Sequence, residues 1–476
     1  MTNLFSVLAL TLALAAPQDT LQAADTSAPA VISLEKAIEI ALTENVSVKV
    51  ADKEIEKTGY SRKGSYAALF PQIDGSASFQ RTIKKQVMYM DFDMSAYTGG
   101  SDDDSSSSSS SAGGFEVGRW NTWSAGISAS MPLVNAQLWE SLKITDMDVE
   151  LAVEKARSSR LETVAQVKQA YFAVLLARAA FDVYKSVYEN AVENLELTQK
   201  KYNAQRASEL DLARAKTTVA NAVPNVYDAE SGIIIALWQL KAVMGVDLEA
   251  DIDVAGSLED WTGEMLADGV ADSSLELDTN TTMRQLAIQA EQLAETIRVQ
   301  KYANLPTLAV AFSYSYSAMT NDFNFSEYRW TPYSYVGLSL SIPIFAGGKR
   351  YHAIKQAAVQ AEELELQRTN TERQLRISIR QYLNTMDTQT KALASAESAV
   401  ESAEKAYDIA RKSYDVGRST LTDLNDAQLA LTQARLTVAQ AVYSYVVAKS
   451  SLEQTLGADF IDDEGNVQLN NANDNE

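Results

Sequence analysis

Apolar residues recur along this chain with two periods, and both periods appear in each half. Leu308, Val310, Phe312, Tyr314 and Tyr316 alternate with Ala309, Ala311, Ser313, Ser315 and Ser317. Val336, Leu338, Leu340 and Ile342 alternate with Gly337, Ser339 and Ser341, and Trp123, Ala125, Ile127, Ala129, Met131 and Leu133 do likewise in the first half. The segment from Pro71 to Met90 is the least regular, with Ala77, Phe79 and Ile83 sharing a face with Arg81. Alternation at period two, apolar against small or polar, predicts four β-strands with one lipid-compatible face. A soluble two-sided sheet would carry the same alternation. Trp120, Trp123, Tyr328, Trp330, Tyr333 and Tyr335 crowd one end of these strands, as an aromatic girdle at a membrane surface would.

The second period is helical. No proline interrupts Gln137 to Tyr202 or Gly348 to Tyr414, so each predicts a helix on the order of 100 Å long at 1.5 Å per residue. Leu393, Ala396, Val400, Ala403, Tyr407, Ala410 and Tyr414 recur at alternating steps of three and four. Phe181, Tyr184, Tyr188, Ala191, Leu195, Thr198 and Tyr202 repeat that seam in the first half. A sustained 3.5-residue repeat predicts coiled-coil packing, and the small residues in it predict close approach. Tight turns follow near Asn203–Ser208 and Asp415–Thr420, where Ser208 and Thr420 can cap returning helices that run to about Val243 and Leu456. Pro224 is expected to kink the first of them. Shorter helices precede the strands, from Leu34 to Ala68 and from Thr282 to Asn304, and each ends shortly before a proline.

The halves are copies. Gly126-Ile-Ser-Ala-Ser-Met-Pro132 matches Gly337-Leu-Ser-Leu-Ser-Ile-Pro343 at a shift of 211 residues. Tyr202 matches Tyr414, Asp211-Leu212 matches Asp423-Leu424, and Gly245 matches Gly457, all at 212. Pro71 matches Pro306 at 235, so the first copy carries an insertion between its strands, where a Ser-rich segment lies. The organisation is therefore a signal peptide (1–24, cleaved after Ala15 or near Ala23 and Ala24), then a first repeat (25–245). The first repeat has a hairpin over 71–134 with a Ser-rich loop over 99–114. A lateral acidic segment (246–280), a second repeat (281–457, hairpin over 306–345) and a disordered acidic tail (458–476) follow.

Composition narrows the chemistry. The chain has 476 residues and a net charge of −22, which argues against nucleic-acid partners. It has no cysteine and a single histidine, His352, read as an incidental surface residue. Zinc sites and imidazole catalysis are thereby nearly excluded, and no cofactor is expected. No nucleophile–base pair or phosphate-binding loop is visible, which argues against an enzyme. Four strands cannot close a barrel, and open strand edges in lipid leave backbone groups unpaired. Three chains supplying twelve strands is the simplest closure that leaves a pore. The fold class expected is thus an α+β membrane protein: four strands per copy in a trimeric twelve-stranded β-barrel, with long antiparallel coiled-coil helices forming a hollow α-barrel. A coiled-coil tether or stalk of the envelope is the alternative, and it leaves the two hairpins unexplained.

Three motifs carry a family resemblance: Ala68-Leu-Phe-Pro71-Gln-Ile, Ile342-Pro-Ile-Phe-Ala-Gly-Gly-Lys-Arg350 and Gly417-Arg-Ser-Thr-Leu-Thr-Asp-Leu-Asn-Asp-Ala427. In order and within a duplicated chain, they resemble the TolC family of outer-membrane efflux proteins. The resemblance implies a homotrimer in the outer membrane with its tunnel in the periplasm. It also implies docking to a periplasmic adaptor and an inner-membrane transporter, and export of small molecules or proteins. The chain departs from the family at Asn45-Val46, where Asn-Pro is usual, in lacking a lipid-anchor cysteine, and in its Ser-rich insertion.

An export duct needs a gate and a filter. Asp423 and Asp426 lie three apart just after the second tight turn, on one helix face. In a trimer each would form a ring of carboxylates that concentrates cations, and by resemblance they match the acidic rings at the family's aperture. As plain residues they also suit a solvated helix start. By resemblance alone, Tyr414 and Asp211 match a pair whose hydrogen bond holds the tunnel shut. Arg418 is the nearest basic residue, and the family's gating arginine falls at Ser419 in this chain.

Overall fold

The computed structural model describes residues 30–88, 115–267 and 277–457. The expected signal peptide, Ser-rich loop and tail lie outside these residues, as does part of the expected lateral segment. The chain divides into two compact units: residues 1–41, 167–267 and 390–443 in one, and 42–166, 268–389 and 444–476 in the other.

The elements recur in the same order in each half. Helices α2 (Val46–Ala67) and α6 (Thr281–Tyr302) have 22 residues each. The long helices α3 (Ala136–Asn203) and α7 (Lys349–Asp415) have 68 and 67, and the return helices α4 (Glu209–Met244) and α8 (Leu421–Leu456) have 36 each. Helix α4 continues through Pro224. Both return helices stop at a left-handed glycine, Gly245 (φ 75°) and Gly457 (φ 66°), and a Cβ on Gly457 would run into the Thr279 carbonyl. Among the described residues no helix is long and apolar enough to cross a membrane.

One expected helix is two. The segment from Leu34 to Ala68 breaks into α1 (Leu34–Glu44) and α2, because Asn45 leaves helical geometry (φ −60°, ψ 131°) to cap α2. Its Oδ1 accepts from the Ser47 and Val48 N–H groups at 2.7 and 3.3 Å. The amide cap breaks the helix without the proline usual in the family.

A four-stranded antiparallel sheet lies in the second unit. Its order is β2 (Gln72–Arg81), β5 (Asn121–Val134), β7 (Thr307–Thr320), β8 (Thr331–Ser341), so the two hairpins join through β5 and β7. A small ladder, β3 (Gln86–Met88) with β4 (Phe115–Val117), extends the first hairpin. Register sorts the side chains onto two faces. One carries Ile73, Ile127, Met131, Val310, Phe312, Val336 and Leu338; the other is mostly Ser, Gly, Ala, Thr and Gln, with Asp74, Pro132, Met319, Tyr333 and Tyr335 among them. The strands approach closely at Gly126, where a Cβ would lie 2.8 Å from Ser315 Cβ.

The aromatic girdle expected at one end is divided between these faces. Trp123 sits on the apolar face, its ring 4.2 Å from Phe79 and 4.7 Å from Phe325. Tyr328 folds inward and donates to the Asp322 carbonyl at 2.8 Å. Trp120 precedes β5, with the Lys85 ammonium 4.7 Å from its ring centroid, and Trp330 precedes β8. Tyr333 and Tyr335 pair with Ser315 and Ser313 and lie on the small-residue face. Strand parity, not proximity along the chain, decides the face.

The second unit also buries two carboxyl groups, Glu140 of α3 (6% exposed) and Glu295 of α6 (8%). Lys143 donates to Glu140 at 3.1 Å, and Arg298 donates to Glu295 Oε1. Glu295 Oε2 is buried with no hydrogen-bond partner among the described residues. Burial, then the neighbouring Glu140 carboxyl, pushes the Glu295 carboxyl up, and Glu295 is the foremost cause that holds Glu140 down. A proton shared between the two carboxyls would give that oxygen a partner.

In the first unit, β1 (Ala30–Ile32) pairs in parallel with β6 (Ile252–Val254) of the lateral segment. A 3₁₀ turn (Leu258–Trp261) and the short α5 (Thr262–Ala267) complete that segment. The Tyr171 hydroxyl donates to the Ala255 carbonyl at 2.7 Å, and Arg178 donates to the Val254 carbonyl at 2.7 Å and pairs with Asp253. These bonds tie the segment to α3.

Candidate functional site

The two tight turns lie in the first unit and are built alike. Just beyond α3, Gln205 lies in the left-handed region (φ 60°), and the Arg206 N–H closes on the Lys201 carbonyl at 2.8 Å. Just beyond α7, Gly417 does the same (φ 75°), and the Arg418 N–H closes on the Ser413 carbonyl at 2.8 Å. Each return helix then starts with a capping box. Asp211 Oδ2 accepts from the Ser208 hydroxyl at 2.7 Å, while the Asp211 N–H donates to that hydroxyl at 3.1 Å. Asp423 does the same with Thr420, at 2.7 and 3.2 Å.

Asp423 therefore has a structural task at its helix start, as Asp211 has. Its carboxylate also accepts the Thr420 N–H at 2.9 Å. That backbone bond, followed by the hydroxyl bond, holds the Asp423 carboxyl below the usual aspartate range, so it stays ionised. Asp423 remains exposed, and so does Asp426 one turn further along α8. The two acids thus present a fixed negative edge beside the turn.

Tyr414 is buried at 6% exposure in a cluster with Tyr407, Leu421, Leu424, Leu431 and Ala215. Val400, Ala403 and Ala410 of the predicted seam pack against it. The seam in α3 ends a turn earlier: Thr198 is buried while Tyr202, the sequence counterpart of Tyr414, is exposed.

The hydrogen bond between Tyr414 and Asp211 that the resemblance implies does not form among the described residues. The Tyr414 hydroxyl lies 2.7 Å from Thr198 Oγ1 instead, and Asp211 is held by Ser208. The Thr198 hydroxyl also donates to the Asn194 carbonyl at 2.7 Å. With that donation fixed, Tyr414 is the donor in the shared bond. Lys201 adds a second tie to Tyr414: its ammonium donates to the Tyr414 carbonyl and stands 3.9 Å from the Tyr414 ring centroid. Burial pushes the Lys201 amine down. Arg418 is exposed, and its backbone N–H, rather than its side chain, makes the bond that closes the turn. Thr198 and Lys201 are functional candidates that the sequence did not single out. Thr198 stood in the seam as a packing residue, and its one signal was a hydroxyl where the second copy has Ala410.

A sheet with one apolar face, joined to long paired helices that end in acid-edged turns, has the build of an outer-membrane channel. A profile of the outer membrane efflux proteins matches residues 37–246 and 273–458. The outer membrane protein TolC of Vibrio cholerae is 23% identical over 345 residues, 70% of this chain and 76% of that protein. The alkaline protease secretion protein AprF of Pseudomonas aeruginosa is 23% identical over 355 residues, 74% of this chain and 73% of that protein. The CmeC outer membrane channel of Campylobacter jejuni superposes with a TM-score of 0.68 at 19% identity, covering 89% of this chain and 85% of that one. The chain belongs to the outer membrane efflux protein family. It resides in the outer membrane and serves as a channel-tunnel, the exit duct of an export system.

Proposed function

We propose that three copies of this chain close a twelve-stranded barrel in the outer membrane. Their long helices form the tunnel below it in the periplasm. The observation that carries this is the two-faced sheet whose outer strands, β2 and β8, each pair on one side only among the described residues. In lipid those edges need partners, and a second and third copy supply them. In this assembly Asp423 and Asp426 form two rings of carboxylates at the tunnel aperture, which favour cations. The bond from Tyr414 to Thr198 ties α7 to α3 and holds the tip closed.

The duct works with a periplasmic adaptor and an inner-membrane transporter and has no catalytic role. Its cargo class is small molecules or secreted proteins; the likeness to AprF, named for protease secretion, supports the second. Purified protein added to planar bilayers tests this reading. Discrete, cation-preferring conductance steps are expected. Inserted protein that passes no current would overturn it.

A further inference from the structure

The outer end of the sheet, where β5 and β8 begin away from helices α3 and α7, carries a feature that the aspartate aperture does not use. Two rows of paired residues cross the small-residue face there. One runs Tyr333, Ser315, Gly126, Ser76; the next runs Tyr335, Ser313, Ser128, Asp74. The first row sets one aromatic ring beside three small residues and the second sets one beside two small residues and Asp74, and Tyr333 and Tyr335 are the only aromatics of the four strands on that face. Their ring centroids are 5.9 Å apart, and they are 63% and 46% exposed: β8 is an edge strand, and the residues opposite them on β7, Ser315 and Ser313, are small. Tyr314 and Tyr316 of β7 lie on the other face, with the apolar side chains.

The consequence rests on the twelve-stranded reading given above. In that barrel the apolar face meets lipid and the small-residue face lines the interior. Barrels of about 8 strands are filled by their inward side chains, whereas those of about 16–18 leave an aqueous channel. Twelve lies between, so inward side-chain size sets the bore. Serine and glycine leave it wide; a tyrosine ring narrows it.

We propose that Tyr333 and Tyr335 form an aromatic collar, two rings from each copy, that sets the bore of the outer mouth. The collar limits solutes by size and is separate from the charged aperture. Its ring faces also attract organic cations weakly. An exported organic cation thus meets a charge filter at the aspartates and an aromatic one at the collar.

The chain has no cysteine, so Tyr335→Cys places one thiol per copy. Reaction of the bilayer-inserted trimer with a charged, water-soluble thiol reagent should change its conductance, whereas Tyr314→Cys should stay unreactive. The Tyr333→Ser/Tyr335→Ser variant should admit larger polyethylene glycols from the outer side than the unaltered channel does. Tyr314→Ser/Tyr316→Ser should leave that cut-off unchanged. An unchanged cut-off in the first pair, or labelling at Tyr314→Cys but not at Tyr335→Cys, would overturn the collar. If the serine variants fail to assemble, the thiol labelling still decides. An unaltered chain that inserts no channel refutes the barrel itself, and the collar with it.

Discussion

Replacing Tyr414 with Phe removes one oxygen from the tip and little else. The ring stays in its cluster, and Lys201 keeps both its bond to the backbone carbonyl and its place near the ring. The lost bond is the 2.7 Å contact with Thr198. Thr198 still donates to the Asn194 carbonyl, so no buried donor is stranded. The cost should then be that of one neutral hydrogen bond, about 1 kcal/mol. Opening that draws the α7–α8 turn away from the α3–α4 turn breaks this bond, so Phe should favour the open tip by roughly fivefold per copy. Three copies opening together give about 3 kcal/mol, on the order of 100-fold at 1.4 kcal/mol per decade. Single-channel recording in planar bilayers should show raised open probability with ion selectivity unchanged. A double-mutant cycle of Tyr414→Phe with Thr198→Val should show coupling of about 1 kcal/mol, and one with Asp211→Ala almost none. Coupling to Asp211 but not to Thr198 would refute the latch described here and restore the pairing implied by resemblance.

Further outcomes follow from the same geometry. Asp423→Asn with Asp426→Asn should lower cation preference and weaken block by multivalent cations without affecting trimer yield; unaltered selectivity would leave the acids as helix-start residues only. Because Asp423 is held below the usual aspartate range, its contribution is present above that range and is lost only as pH falls through the lowered value, which a pH series of reversal potentials would follow. The pair of Glu140 and Glu295 is most stabilising between the lowered value of the first and the raised value of the second, and that stability is lost as pH rises through the Glu295 value. Glu295→Gln keeps a donor at every pH, so thermal unfolding of the variant should fall less on the alkaline side; parallel profiles would dismiss the shared proton. Gly126→Ala should reduce sheet assembly, at about 1–3 kcal/mol of overpacking, while Gly337→Ala, whose nearest neighbour is 3.8 Å away, should be tolerated. Equal yields of outer-membrane trimer would show that the strands separate freely at Gly126.

Much of this architecture is legible in the residues because periodicity reports burial. The run from Leu308 to Tyr316 alternates strictly, and β7 covers Thr307–Thr320. The seam from Leu393 to Tyr414 is packed where its spacing places it. Features set by a partner distant in sequence were not legible. Strand β1 is three residues long and meets β6 more than two hundred residues later, so no local alternation marks it. Asn45 breaks a helix through a side-chain cap, in a segment that otherwise reads as helical. Glu140 and Glu295 look like ordinary solvated acids until their burial is known. At the tip, duplication pointed to Tyr202 and Tyr414 as equals, but only Tyr414 is buried, in the cluster with Leu421, Leu424 and Leu431. The faces of Tyr333 and Tyr335 follow from counting in twos from Gly337; their nearness to Trp330 in sequence obscured that.

The most direct test of the trimeric duct is the mass of the particle extracted from the outer membrane in detergent, measured by native mass spectrometry. Three copies of the mature chain per particle, dissociating to single chains on heating, is the predicted result. A single chain, recovered from the soluble periplasmic fraction without a membrane-extracted assembly, would contradict it.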